Sequence, residues 1–175
     1  MWEFLVPSTG CGEGARRNMT QVVQPFKIPI SVLVVVYTPD MQVLLIERAN
    51  AQGASTGFWQ SVTGSVDAPD EPIAQTAMRE VAEETGIVST QAGHTLTDWH
   101  IENIYAIYPT WLHRYAPGVT HNTEHVFGLQ VPSGTPVTLR AREHVAYQWL
   151  PYRDAAERCF SASNAEAVLM LPKFM

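Results

Sequence analysis

The sequence predicts an α/β fold, a central mixed sheet with helices on both faces. Three observations point there. β-Branched and apolar runs recur along the chain, beginning with Ser31-Val32-Leu33-Val34-Val35-Val36-Tyr37. Helical patterns fall between and after these runs, mixed with them in order. No repeat or linker interrupts the 175 residues, a length that buries a substantial core in one domain.

Residues 1–24 are expected to form a poorly ordered extension, because Ser8-Thr9-Gly10-Cys11-Gly12-Glu13-Gly14 is small, flexible and aperiodic. Residues 25–175 are expected to form the single domain. Ile28 to Tyr37 reads as a buried strand, Thr38-Pro39-Asp40-Met41 as a turn, and Gln42 to Arg48 as the returning strand. Ala49 to Gly57 reads as a loop, and Phe58 to Thr63 as a short strand that delivers Gly64. A helix is expected from Pro72 to Thr85, then strands near Thr97–Ala106, Glu124–Val131 and Val145–Leu150. Ala116 to Thr123 carries the residues of a long loop. Two helices close the chain, one from about Tyr152 and one over Asn164–Leu171.

The helix at 72–85 carries the chemistry. Asp70 is placed to cap it, Pro72 suits its first turn, and Gly86 suits its left-handed stop. Ile73, Ala74, Ala77, Met78 and Val81 form its apolar arc. Glu80, Glu83 and Glu84 stand at i, i+3 and i+4, and so share a face beside that arc. Three like charges repel unless something compensates them, and Arg79 is the nearby cation. A cluster of hard anionic oxygens at the rim of a core suits Mg²⁺, with Mn²⁺ as a substitute. An ordinary acidic helix is the alternative.

Composition narrows the function classes. A net charge of −6 argues against a broad nucleic-acid surface, and phosphate would have to be met by local cations and metal. No apolar run reaches transmembrane length, and Met1 to Val6 lacks the basic start of a signal peptide. Cys11 and Cys159 form no ligand spacing and read as free thiols, so a cytoplasmic enzyme is expected.

Gly64, Glu71, Arg79, Glu80, Val81, Glu83, Glu84, Gly86 and Ile87 resemble the Nudix box, Gly-x5-Glu-x7-Arg-Glu-U-x-Glu-Glu-x-Gly-U with U aliphatic. Every specified position from Glu71 onward matches, while six residues instead of five separate Gly64 from Glu71. The resemblance implies an α/β/α sandwich with a catalytic loop-helix-loop. Phe58 to Ser65, His113 to Thr120, Asn122-Thr123-Glu124, Glu143-His144 and Ser163-Asn164 are similar to the Nudix branch that hydrolyses dihydroneopterin triphosphate in folate synthesis.

Carried over to this chain, that resemblance implies metal ligands at Glu80, Glu84 and Glu143. It implies substrate contacts at Lys27, Arg48, Thr63, Tyr105, Ala106, Ile107, Tyr108 and Ser161. Glu83 would be a further ligand or would support one. Arg79 would orient the carboxylates, and Glu143 would be a ligand or the general base. His113 and His144 are candidates for proton transfer, although such residues commonly pack or hydrogen-bond. Trp59, Trp111 and Tyr105 are candidates to stack on a flat heterocycle. The implied activity is a Mg²⁺-dependent pyrophosphohydrolase taking a small triphosphate, with no nucleic-acid or membrane partner and with a monomer allowed. Two alternatives stay open: the same chemistry on nucleoside triphosphates or nucleoside diphosphate derivatives, and an inactive ligand-binding module.

Overall fold

The computed structural model describes residues 26–50, 53 and 55–175. The extension expected at 1–24 lies outside the described residues, as does Cys11. The described residues form one seven-stranded mixed sheet from β1 (Ile30–Tyr37), β2 (Gln42–Ala49), β3 (Ser55–Gln60), β4 (Val62–Ser65), β5 (Thr95–Ala106), β6 (His121–Gln130) and β7 (His144–Pro151). Helix α1 (Ile73–Thr85) follows β4, and α2 (Tyr152–Arg158) and α3 (Ala162–Met170) follow β7.

β1 is the axis of the sheet. Val32 to Tyr37 are all buried, so the strand has an apolar layer on each side. Val32, Val34 and Val36 pack with Ala77 and Val81 of α1. Leu33, Val35 and Tyr37 pack with Ala155 and Ala156 of α2 and Ala167 and Val168 of α3. Each such Val or Leu contributes about 2 kcal/mol of burial before the entropy of ordering it is subtracted. The result is the expected α/β/α arrangement.

The strands fork next to β1. β1 and β2 are in register at Tyr37 and Val43. Further along, β4 lies antiparallel on β1 from Ser65 to Val62, while β3 lies antiparallel on β2. The strand expected over Phe58–Thr63 is therefore two strands on two different neighbours. Ser61, at the break, is fully buried. Its N–H donates to Asn164 Oδ1 and its Oγ accepts from Asn164 Nδ2, both at 2.8 Å. On its other edge β1 runs parallel to β6, and β5 closes that side against β6. β7 pairs with β2 along its length.

Three local expectations need correction. Asp70 does not cap α1: Pro72 occupies that position, without a side-chain cap hydrogen bond. Ala74 is exposed, and the buried face of α1 instead takes Thr76, Ala77, Val81, Glu84 and Thr85. β6 begins at His121, inside the loop expected at 116–123, because parallel pairing with β1 already holds Thr123 opposite Ile30. Gly86 does stop α1 in the left-handed region at φ 70°, its N–H donating to Ala82 O. Among the described residues no helix is long and apolar enough to cross a membrane.

Candidate active site

The loop between β4 and α1 is closed by one guanidinium. Arg79 Nε donates to Glu71 Oε1 at 2.9 Å and Nη2 to Glu71 Oε2 at 3.3 Å. Nη2 also donates to Ser65 O at 2.9 Å, and Nη1 to Glu80 Oε1 at 2.7 Å. Asp67 Oδ2 lies 3.4 Å from Nη1, and the Asp67 N–H donates to Glu71 Oε2 at 2.8 Å. The planar fork of arginine makes these simultaneous contacts possible. They lower the pKa of Glu71, chiefly through its hydrogen bond from Arg79. The longer loop between Gly64 and Glu71 is thus accommodated by the Asp67 turn, with Glu71 still tied to Arg79.

Glu80 projects from α1 onto Gly64. A Cβ at Gly64 would overlap the Glu80 carboxyl group, so the missing side chain is what admits it. Burial pushes the Glu80 carboxyl up to about 7, against the opposing pull of Arg79, with Glu84 and Glu83 adding repulsion.

Glu84 lies one turn further along, 5% exposed. Its Oε2 accepts the Thr63 N–H at 3.3 Å, and its Oε1 is 3.2 Å from His144 Nε2. Glu84, Glu143 and His144 each offer an atom within 4.8 Å of the others. Glu143 and His144 arrive at the start of β7, where His144 stands opposite Arg48 of β2. Both ring nitrogens of His144 are buried: Nδ1 has no hydrogen-bond partner among the described residues, and Nε2 has only the 3.2 Å approach of Glu84. Glu83 points away, to Arg140 Nη1 at 2.9 Å and Arg79 Nη1 at 3.7 Å. Arg140 Nε also reaches Glu143 at 3.5 Å.

The structure therefore brings Glu84 and Glu143 together, sets Glu80 beside them against Gly64, and turns Glu83 outward. His144 joins the cluster. Its signal in the sequence is its place directly after Glu143 at the start of a strand. Arg140 reads in the sequence as part of a surface run, and its bridge between Glu83 and Glu143 depends on the fold.

The residues expected to meet substrate lie in separate places. Lys27 Nζ donates to Ser65 Oγ at 3.0 Å. Burial and then the neighbouring Arg114 lower its pKa. Arg48 is exposed at the end of β2 and electrostatically coupled to Lys27. Thr63 sits on β4, its Oγ1 accepting from Gln60 Nε2 at 3.1 Å. Tyr105 and Ala106 end β5 as exposed residues, Ile107 is buried with its N–H on Thr120 O, and Tyr108 is exposed. Tyr108 meets Trp111 edge to face at 5.5 Å. Ser161 caps α3 by accepting the Asn164 N–H. His113 is exposed in the 3-10 turn Pro109–Arg114. Trp59 is 7% exposed and belongs to the core under Arg158, so it is not a free stacking platform.

A NUDIX domain model matches residues 27–171. Dihydroneopterin triphosphate diphosphatase of Escherichia coli K12 is 42% identical over 144 residues, covering 82% of this chain and 91% of that protein. The Haemophilus influenzae protein of the same name is 34% identical over 148 residues, covering 84% of this chain and 89% of its own. The solved E. coli dihydroneopterin triphosphate pyrophosphohydrolase superposes with a TM-score of 0.71 at 41% identity, covering 83% of this chain and 95% of that one. By the matched domain and these identities, the chain belongs to the NUDIX family, as a pyrophosphohydrolase homologous to the dihydroneopterin triphosphate diphosphatases.

Proposed function

We propose that this protein is a Mg²⁺-dependent pyrophosphohydrolase that cleaves dihydroneopterin triphosphate to the monophosphate and pyrophosphate. The observation that carries the metal site is the convergence at the end of α1: Glu84, Glu143 and His144 each offer a ligand atom within 4.8 Å of the others, with Glu80 held out of water beside them. Buried like charges destabilise a fold unless a cation completes them. The donors fit such a cation, since carboxylate oxygens suit Mg²⁺ and Mn²⁺. Nudix proteins are typically dependent on a divalent metal.

Glu80, Glu84 and Glu143 would hold the ion. A divalent ion bound there supplies charge neutralisation at phosphate oxygens and a water of lowered pKa. Arg79 keeps Glu80 and Glu71 in place through its fork. The Thr63 N–H does the same for Glu84. Lys27 and Arg48 bring positive charge to the triphosphate. Glu143, half exposed at the rim of the cluster, is either the third metal ligand or the base that accepts the proton as water attacks phosphorus and the phosphoanhydride bond breaks. The pterin substrate is the one named for the relatives at 42% and 34% identity. We also read residues 25–175 as one cytoplasmic domain, a reading supported by the continuous sheet and the unpaired thiol of Cys159.

The test is pyrophosphate and orthophosphate release with Mg²⁺ on dihydroneopterin triphosphate beside a panel of nucleoside triphosphates. A preference of about a hundredfold for the pterin, or roughly 2.7 kcal/mol in the transition state, is expected. Glu84→Gln should abolish turnover while the protein stays folded. Equal turnover of nucleotides would remove the pterin assignment, and silence on the whole panel would point to a ligand-binding module.

A further inference from the structure

Away from the carboxylates of α1, the opposite face of the sheet carries a polar row with a buried acid in it. Ser31 of β1 is in register with Ser65 of β4 on one side and Glu124 of β6 on the other. Glu124 is in register with Asn103 of β5, and Asn122 with Tyr105. Side chains two apart on a strand share a face. Ser31 therefore lies on the face of Leu33, and Glu124 on that of Val126, both within the core cluster under α2 and α3. The apolar lining stops at Leu33 and Val126, and the row Ser65, Ser31, Glu124, Asn103 continues beyond it.

Glu124 is 6% exposed. It accepts from one amide, Asn103 Nδ2, at the long distance of 3.4 Å to Oε1, and no cation pairs with it among the described residues. Burial raises its pKa. A carboxylate in this setting is under-satisfied, and two parallel N–H donors would complete it. Around it, Asn122 Nδ2 donates to Ser31 Oγ at 2.7 Å and to Tyr105 Oη at 3.0 Å. Ser31 and Tyr105 accept in those bonds and also hydrogen-bond to each other, so the pair keeps one hydroxyl hydrogen to donate.

We propose that Glu124 reads the 2-amino-4-oxo edge of the substrate's heterocycle, taking the ring N–H and the exocyclic amine, with the hydrogen-bonded Tyr105–Ser31 pair supplying one hydroxyl donor beside it. This rests on the proposed pterin substrate and names the residues that choose the ring. The spacing supports it. Ser65, held by Lys27, stands two strands from Glu124, about 10 Å at ordinary strand separation. That span separates a triphosphate near Lys27 from a fused bicyclic ring joined to it by a three-carbon chain. Lys27 also feels the charge of Glu80, which places it on the phosphate side. Tyr105, 40% exposed, is the member of the row through which the cluster opens to solvent.

The class of ring follows from the donor pattern. Any heterocycle with an N–H flanked by an amino group and an oxo group would fit, whereas one with oxo groups on both sides presents an acceptor where the carboxylate needs a donor. The experiment uses the full-length protein and two free rings, pterin and lumazine, which differ in having an amino or an oxo group at that carbon. Fluorescence titration and competition against dihydroneopterin triphosphate hydrolysis are expected to show pterin favoured by at least about tenfold in the wild type. In Glu124→Gln that preference should vanish, and KM for dihydroneopterin triphosphate should rise about tenfold or more with a much smaller change in kcat. Equal binding of both rings by the wild type, or binding of neither, overturns the proposal without needing a variant. So does a folded Glu124→Gln protein that keeps the preference, or one whose loss falls on kcat. If the wild type prefers pterin yet releases no pyrophosphate from dihydroneopterin triphosphate, the proposed substrate fails and the ring subsite stands.

Discussion

A single methyl group tests whether Glu80 belongs to a metal site. Gly64→Ala places a Cβ where the Glu80 carboxyl group now sits, so Glu80 must swing out of its position. The stability change is a small difference. Alanine restricts the unfolded chain and gains about 0.4–1 kcal/mol, because Gly64 does not need a positive φ. Losing the 2.7 Å bond from Arg79 to Glu80 costs about 1 kcal/mol, because the arginine side chain is a quarter exposed. The net shift is within about 1 kcal/mol, or a few degrees in Tm. Metal affinity should respond far more, falling by about 10–100-fold or beyond, as it does when groups supporting a metal are displaced. Calorimetric titration with Mg²⁺ and Mn²⁺, alongside thermal unfolding, separates the two effects. A folded Gly64→Ala protein with wild-type metal affinity would refute both the assignment of Glu80 and the role of the glycine that admits it.

Three further outcomes follow from the packing and the charges. In metal-free protein, burial raises the Glu80 pKa from 4.5 to about 7, so the folded state holds a proton that the unfolded chain has released. That stabilisation is complete below about pH 4.5 and is lost as pH rises through about 7, by at most roughly 3 kcal/mol. Urea unfolding in chelator at pH 5 and pH 8 measures it, and Glu80→Gln should flatten the difference. Asn164→Ala removes both hydrogen bonds to buried Ser61 and leaves its N–H without a partner, which should lower stability by about 2–3 kcal/mol in the same assay. Gly86→Ala forces a side chain into φ 70° and brings its Cβ to 3.2 Å from that of Thr138, so a loss of about 1–2 kcal/mol is expected from the denaturation midpoint.

What is legible in the sequence is local. Pro72 marks the start of α1 to within a residue, although Asp70 does not cap it, and Gly86 ends it for the reason glycine usually does. The β-branched run at 31–37 is the central strand because only a strand buried on both faces suits it. The i, i+3, i+4 spacing of the glutamates puts them on one side of α1, but it cannot say that Arg140 draws Glu83 outward. Nor can it say that the β2–β7 register carries Glu143 and His144 to Glu84. The break at Ser61 is invisible for a similar reason. Phe58 to Thr63 has no glycine or proline, and the partner that holds the break, Asn164, is 103 positions away. Trp59 reads as available for stacking, since an aromatic on a strand gives no sign of which face is covered. Contacts that depend on a partner distant in the chain are the ones that composition and spacing miss.

The parallel pairing of β1 with β6 has a consequence for how the protein is made. The antiparallel β4–β1 pair and α1 involve residues close in sequence, so the cradle at Gly64 and the Arg79 fork can assemble early. The contact of Asn122 with Ser31 spans 91 positions, and closing that long loop must precede any reward from it. His144 and Asn164 join later still in synthesis. A chain emerging from the ribosome would therefore carry α1 with Glu80 and Glu84 well before it had the strands that supply Glu143 or the polar row. Until then it would be a nascent acidic helix with an exposed β-branched strand beside it, the stage at which aggregation competes with folding.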